Sequence, residues 1–408
     1  MSNIQKNNKP NVPNLRFPEF SGEWKKIRVS DLLEFFSTNS LSWDQLEYGG
    51  TDIFNLHYGL IHSGLSTQIS LKKSILPSVK SEYRPRNYTL CEDGDVAFAD
   101  ASEDTNEVGK VVEFVDCAGK EIVCGLHTIH GRDKLGKTVV GFKGYAFSSP
   151  AFHNQIRRIA QGTKIFSINT GNFAEIFIGV PQKEEQDKIS HLLSLLDQRI
   201  AIQNRIIEDL KKLKTALCEL LYDESEHNCL IGDLVEQISI RNKQGESFKI
   251  LSVSNQLGFV EQSEQFEGRT IASQDTSNYK IVSLNDFAYN PARINVGSIA
   301  KLKVIEKGIV SPMYVCFRCK DGVLPDYLET FFDTQYFFLE MEKRLEGSVR
   351  MCLSFEGLSD IPINLPSLME QQAIAYRIST LSQKIEIEMK ILKKFIQQKK
   401  YVLSNVLI

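Results

Sequence analysis

Apolar residues along the chain follow two different periods. In two stretches they recur at alternating spacings of four and three, the period of a coiled-coil helix. The first carries Ile189, Leu193, Leu196, Ile200, Ile207, Leu210, Leu217 and Leu221; the second carries Ile374, Ile378, Leu381, Ile385, Leu392, Phe395, Val402 and Val406. Elsewhere, short β-rich runs alternate with Gly- and Asn-rich turns: Asp95 to Ala99, Lys110 to Val115, Thr138 to Phe142, Lys249 to Val253, Ser298 to Val304 and Ser311 to Phe317. The pattern predicts mixed α+β modules, each followed by a long helix.

The chain also repeats itself. Gly162 to Pro181 reads GTKIFSINTGNFAEIFIGVP and Gly347 to Pro366 reads GSVRMCLSFEGLSDIPINLP, an ungapped match at an offset of 185 residues. The same offset carries Glu185-Gln186 onto Glu370-Gln371, Ile189 onto Ile374, Leu196 onto Leu381, Ile200 onto Ile385 and Ile206 onto Ile391. Weaker echoes precede each block: Val29-Ser30-Asp31-Leu32 against Ile231-Gly232-Asp233-Leu234, and Gly94 to Phe98 against Asn285 to Tyr289. Two copies of one module and tail are implied. The boundaries read as a first module over 1–180, a first helix over 181–222, a second module over 223–365 and a second helix over 366–408.

Both helical seams are interrupted at equivalent places, by Gln203 and Glu388 near mid-helix and by Lys214 and Lys399 further on. Polar seam residues fix register and partner choice. If the modules are related by a pseudo-two-fold, the helices run antiparallel with one module at each end. Ile189 to Leu221 would span roughly 50 Å at ~1.5 Å per residue. A turn of B-DNA is about 34 Å, so such a rod could hold two readers roughly one and a half turns apart.

A chain of 408 residues is expected to hold more than one hydrophobic core, and a formal charge of −3 confines any nucleic-acid surface to local patches. The eight cysteines are scattered, the chain opens without an apolar signal core, and no run of 18 apolar residues exists, which together suggest a cytoplasmic protein with reduced thiols and no membrane span. Cys316-Phe317-Arg318-Cys319 has C-x-x-C spacing but no second ligand pair, and His127 and His130 lie three apart in an apparent strand. Neither points to a metal.

Two motifs imitate enzyme signatures. Gly131 to Thr138 satisfies G-x-x-x-x-G-K-[ST] letter for letter, but the following Val139-Val140-Gly141-Phe142 is strand-like where a phosphate loop needs a helix. A glycine-rich turn joining two strands is the expectation, with Arg132, Lys134 and Lys137 free to touch DNA phosphates. Asn290-Pro291-Ala292-Arg293 is similar to the Asn-Pro-Pro-aromatic motif of adenine methyltransferases without its second Pro and aromatic, and no glycine-rich turn for a methyl-donor cofactor follows a strand.

The stretch Asn11 to Trp24, NVPNLRFPEFSGEW, with the Val29 to Leu32 entry behind it, resembles the start of type I restriction-modification specificity subunits. The resemblance continues through Ala288 to Ser298, through Ser311-Pro312-Met313-Tyr314 and through the paired Pro-x3-Glu-Gln helix openings at Pro181 and Pro366. It implies two target-recognition domains, each reading half of a bipartite double-stranded DNA site, separated by two antiparallel helices. It further implies two methyltransferase subunits as partners and restriction subunits joining them. The methyl donor S-adenosylmethionine, ATP and magnesium would sit on those partners, leaving this chain non-catalytic and without a cofactor of its own.

Sequence reading requires side chains at base edges and cations at phosphates. In the first module the strongest cluster is Lys72-Lys73 with Arg84-Pro85-Arg86-Asn87-Tyr88; in the second, Asn290, Arg293 and Asn295, with Arg269, Lys280 and Arg350 as phosphate or edge contacts. Residues 223–365 carry 14 basic and 21 acidic residues, which predicts weak DNA binding by the chain alone. The rival readings are a nucleotide-hydrolysing enzyme built on Gly131 to Thr138 and a coiled-coil scaffold that binds no DNA.

Overall fold

The computed structural model describes residues 11–50, 52–222, 227–255, 257–262, 275–303, 305–347 and 350–408. The chain divides into two compact units. One comprises the residues up to Ile202 together with Leu392–Ile408; the other is Gln203–Ile391.

In the first unit β1 (Lys25–Arg28) leads into β2 (Glu34–Phe36), β3 (Leu46–Glu47), β4 (Phe54–Leu56), β5 (Gln68–Ser70), β6 (Ser78–Val79), β7 (Val96–Ala99), β8 (Val111–Asp116), β9 (Ile122–Cys124), β10 (Thr128–Arg132) and β11 (Phe177–Val180). Five of these form a sheet in the order β2-β10-β7-β8-β5 and four a second sheet in the order β9-β4-β6-β3, while β1 pairs β11. Helices α1 (Phe142–Phe147), α2 (Pro150–Ile159) and α3 (Thr170–Ala174) cover the five-stranded sheet. Their rings meet edge to face in its core: Phe98 stands 5.0 Å from Phe147 and 4.7 Å from Phe173. Each buried aromatic of this kind contributes roughly 1.5–3 kcal/mol.

The long helix α4 spans Lys183–Leu221. In the second unit come β12 (Cys229–Leu230), β13 (Val235–Ile238), β14 (Ile250–Ser254), β15 (Gly258–Glu261), β16 (Lys280–Ser283), β17 (Phe287–Tyr289), β18 (Ile299–Lys301), β19 (Lys307–Val310), β20 (Val315–Cys319) and β21 (Pro362–Ile363). Its helices are α5 (Pro325–Phe331), α6 (Gln335–Glu342), α7 (Phe355–Ser359) and the long α8 (Leu368–Val406). One sheet runs β13-β20-β17-β18, the counterpart of β2-β10-β7-β8, and another runs β15-β14-β19-β16.

The internal repeat is thus a repeat of structure. Gly162 and Gly347 sit at φ +134 and +125, where an added Cβ would stand 1.9 Å from the Ile165 carbonyl oxygen and 2.2 Å from that of Arg350. Only glycine tolerates such a turn. Asn169 and Ser354 then cap α3 and α7 by accepting from the N–H three residues on. Gln186, buried at the start of α4, accepts from Val139 N and donates to Lys137 O and Pro181 O. Gln371 does the same in α8, accepting from Leu324 N and donating to Gly322 O and Pro366 O.

The seam positions of the two long helices divide between the units. In the first unit Ile189, Leu193 and Leu196 of α4 share a core with Val402, Val406 and Leu407 of α8. Asp197 pairs with Lys399 at 2.5 Å and Arg199 lies over the Phe395 ring, so the segments run antiparallel there. In the second unit Gln203 and Ile207 of α4, and Ile374, Ile378, Ile385 and Glu388 of α8, are buried. Ile200, Leu210, Leu381, Leu392 and Phe395 are half-buried. The C-terminal residues are stitched into the first unit: Leu15 donates to the Asn405 carbonyl, and Ile408 packs against Gly179.

Several predicted strands differ in extent. Thr138 to Phe142 is no strand: Thr138 N and Oγ1 are held by Asp133, Val139 N by Gln186, and Gly141 turns at φ +91 into α1. Ser311 to Tyr314 is a turn ahead of β20, and of the predicted strand Ser298 to Val304 the described residues form a strand at Ile299–Lys301, Val304 lying outside the described residues. His127 precedes β10 at φ +53 and bonds Asp100. No helix among the described residues is long and apolar enough to cross a membrane.

Candidate nucleic-acid interface

Both units contain the same buried clamp. A left-handed residue, Gly94 in one and Asn285 in the other, turns the chain into β7 or β17. The next residue is a buried aspartate, Asp95 or Asp286, which accepts from a backbone N–H three residues earlier, at Glu92 or Ser283. An arginine from the neighbouring strand closes on it through two N–H donors: Arg132 at 2.8 and 2.7 Å, Arg318 at 2.6 and 2.9 Å. Burial pushes the Asp95 carboxyl up, but Arg132 and His130 outweigh it and hold the group below the ordinary carboxylate range. Arg132 also bonds Glu92 and the Leu90 carbonyl, so its guanidinium is directed inward rather than toward a phosphate.

The phosphate-loop lookalike joins strand β10 to helix α1, not strand to strand. That correction does not restore an anion site. The first N–H groups of α1, at Gly141 and Gly144, already bond the buried Glu113 carboxylate at 2.8 and 2.7 Å, and Lys143 stands 3.2 Å from it. A helix N-terminus favours negative charge, and here a side chain supplies it. Lys137 is turned onto the Asp31 carbonyl, and Lys134 pairs with Glu34 above the Phe36 ring.

The other basic candidates of the first unit gather around the turn between β8 and β9. Lys72 pairs with Asp116 at 2.9 Å on one side of it, and Arg84 lies 3.7 Å from Glu121 on the other. The Tyr88 hydroxyl and Glu121 raise the Arg84 pKa further. Lys73 and Arg86 are exposed, and Tyr88 is half-buried. Sequence reasoning missed the aromatics beside this cluster. The turns Trp43–Gln45 and Ser81–Tyr83 are tied together by Lys80 N donating to the Gln45 carbonyl, and Trp43, Tyr48 and Tyr83 are exposed. Isolated in sequence, these rings gave no signal; strand pairing of β3 with β6 unites them with Arg84 and Arg86. Exposed aromatic and guanidinium groups together suit nucleic-acid surfaces.

In the second unit Arg293 and Asn295 are exposed on a tight turn whose one-turn helix is Ile294–Val296. Asn290 is buried, and its side chain accepts from Ala292 N, so it shapes that turn from within. Lys280 donates to the Tyr314 carbonyl at 2.6 Å. Arg241, which sequence reasoning passed over, bridges to Lys280 through the backbone and bonds the Asn278 side chain. Arg350 is exposed on the turn after Gly347. Arg269 lies outside the described residues. Cys316 is fully buried in one core while Cys319, three residues on, packs against the other, so the C-x-x-C pair straddles the sheet.

Two tandem α+β modules, each with the same Asp–Arg clamp and each leading into a long seam-bearing helix, define a class of paired-module proteins. The chain belongs to the family of the type I restriction modification DNA specificity domain, whose model matches residues 21–212 and 244–396. It is similar to the type I restriction enzyme MjaVIII specificity subunit of Methanocaldococcus jannaschii, 25% identical over 279 residues, which is 60% of this chain and 65% of that protein. The putative MjaX specificity subunit of the same organism is 24% identical over 259 residues, 59% of this chain and 60% of that protein. The matched region therefore spans less than two thirds of these relatives. Among solved structures, the S subunit of a type I restriction-modification system from M. genitalium matches in fold with a TM-score of 0.59 at 15% identity, covering 97% of this chain and 99% of that one. A chain from a study of complex assembly and conformational transition in the type I system matches with a TM-score of 0.56 at 14% identity, covering 93% and 96%.

Proposed function

We propose that this chain is the non-catalytic specificity subunit of a type I restriction-modification complex. Its recognition domains, over 1–180 and 223–365, each read one half of a bipartite double-stranded DNA site, and its helices over 181–222 and 366–408 are the spacer. One observation carries this reading: the strand order around the Asp95–Arg132 and Asp286–Arg318 clamps recurs in both units, while the exposed loops differ in chemistry. The first unit presents Trp43, Tyr48, Arg84 and Arg86; the second presents Arg293 and Asn295. A shared scaffold with divergent tips is what two readers of different half-sites need.

Two methyltransferase subunits and the restriction subunits are the partners in this reading, and S-adenosylmethionine, ATP and magnesium act on them. The acidic balance of residues 223–365 supports DNA binding that is strong only in the assembled complex. The test is genome-wide mapping of N6-methyladenine by single-molecule sequencing in cells with the gene intact, deleted, and restored as Arg293→Ala. Loss of methylation at one bipartite motif on deletion supports the role; an unchanged methylome in a host with active partner subunits overturns it.

A further inference from the structure

The interior of the first unit holds a polar cluster that sequence-reading of DNA does not use. Cys91, Cys124 and His130 are all buried, and one donor atom of each lies within 4.8 Å of the others. They are distant in sequence and come from three places: the bridge beside Leu90, the end of β9 and the middle of β10. The two Sγ atoms are 3.6 Å apart. His130 Nε2 bonds the buried Asp95 carboxylate at 2.8 Å, so Nδ1 is the ring nitrogen turned away from that carboxylate. That Nδ1 has no hydrogen-bond partner and is inaccessible to solvent.

The second unit shows that the fold does not demand these residues. The pairing of His130 with Ala97 matches that of Cys316 with Ala288, and the bridge from Leu90 to Val123 matches the pairing of Ile281 with Ile309, so the residues that follow, Val282 and Val310, correspond to Cys91 and Cys124. Val282, Val310 and Cys316 are fully buried and form an ordinary apolar core. The first unit replaces this packing by two thiols and an imidazole with an unsatisfied nitrogen, an arrangement that costs free energy unless something binds there.

We propose that Cys91 Sγ, Cys124 Sγ and His130 Nδ1 bind a divalent, thiophilic cation of the zinc class, as a structural site. In tetrahedral zinc geometry, Zn–S bonds near 2.3 Å place two sulfurs about 3.8 Å apart, close to the separation seen. Two thiolates and a neutral imidazole balance a divalent charge in a site that excludes water. Asp95 behind the imidazole supplies the carboxylate that orients a metal-bound histidine. The buried Cys117 thiol, which donates to the Cys91 carbonyl at 3.7 Å, is a candidate for a fourth position. The cysteines release two protons on binding, so occupancy falls on acidification.

The chain, without a histidine tag, is purified in the absence of chelator and its zinc measured by mass spectrometry; the chelated protein is then titrated with Zn2+ alone and with Co2+ alone. The expected result is one equivalent per chain, a thiolate-to-cobalt charge-transfer band, and protection of Cys91 and Cys124 from alkylation by Zn2+. Cys91→Val with Cys124→Val and His130→Cys, which together install the second unit's packing, should fold without the metal and lose the band. Absence of any bound equivalent in the wild-type chain, zinc retained equally by the variant, or a Cys91–Cys124 disulfide forming in air at the same rate with and without Zn2+ would each overturn the site.

Discussion

Gln203 donates from Nε2 to Oε2 of Glu388 at 2.5 Å, and also to the Glu388 backbone carbonyl, across the seam of α4 and α8. The two residues stand at equivalent positions of the repeat. Lys384 also pairs with Glu388, and with Gln203 it holds the carboxyl below its ordinary range. Glu388→Leu should lower the urea midpoint, because it removes the carboxylate acceptor of the buried Gln203 amide and leaves only the backbone carbonyl. Gln203→Leu with Glu388→Leu should restore or exceed the wild-type midpoint, since apolar seams are stabler than polar ones while losing register specificity. A double variant less stable than both single ones would contradict this.

The Asp95 clamp makes stability depend on pH in a definite direction. Its folded-state carboxyl lies below the ordinary value, so its contribution is fully present above that value, about 3.9 for aspartate, and is lost as pH falls through the folded value. Asp95→Asn should flatten the acid limb of the unfolding midpoint against pH. Asp95→Ala should cost about 3 kcal/mol at neutral pH, because it strands Arg132 and His130; chemical denaturation reads both.

Gly162 and Gly347 provide a matched pair of backbone tests. Gly162→Ala and Gly347→Ala each drive a Cβ into a carbonyl oxygen three residues on. Each should destabilise its own unit by about 2 kcal/mol, and calorimetry should show a separate transition shifted in each variant.

Lys137→Ala discriminates the phosphate-loop reading. With Glu113 occupying the N–H groups of α1 and Lys137 on the Asp31 carbonyl, the variant should leave nucleotide affinity and DNA methylation unchanged. A wild-type ATPase rate abolished by this substitution would restore the enzyme reading.

Spacing offers a further test of the proposed function. Four residues inserted after Gln203 add one turn to α4 and rotate its C-terminal half relative to its N-terminal half. The complex should then methylate sites with an altered gap between half-sites, or fail to assemble; full methylation at the original gap would refute the spacer role.

The features legible in the sequence were those that are local or repeated. The heptads of α4 and α8 are a short-range period, and Gly162, Gly347, Gln186 and Gln371 announced themselves by recurring at one offset. The features that stayed hidden depend on strand pairing. Arg132 looks the same in sequence whether its guanidinium meets a phosphate or, as here, Asp95. His130 and Cys124 become neighbours of Cys91 only through the pairing of β10 with β7 and the bridge from Leu90 to Val123. The Val139-Val140 pair has high β propensity, but the buried Gln186 side chain and the left-handed Gly141 override it.

The first unit draws its final segment, Leu392–Ile408, from beyond the whole of the second. Domains are commonly completed on the ribosome in the order of their sequence; here that order is reversed. Gln203–Ile391 can close while the first unit still lacks Val402 and Val406 against Leu193 and Leu196. Until translation delivers them, that apolar strip of α4 stays uncovered, and a premature stop near residue 391 would leave incomplete the unit that was synthesised first.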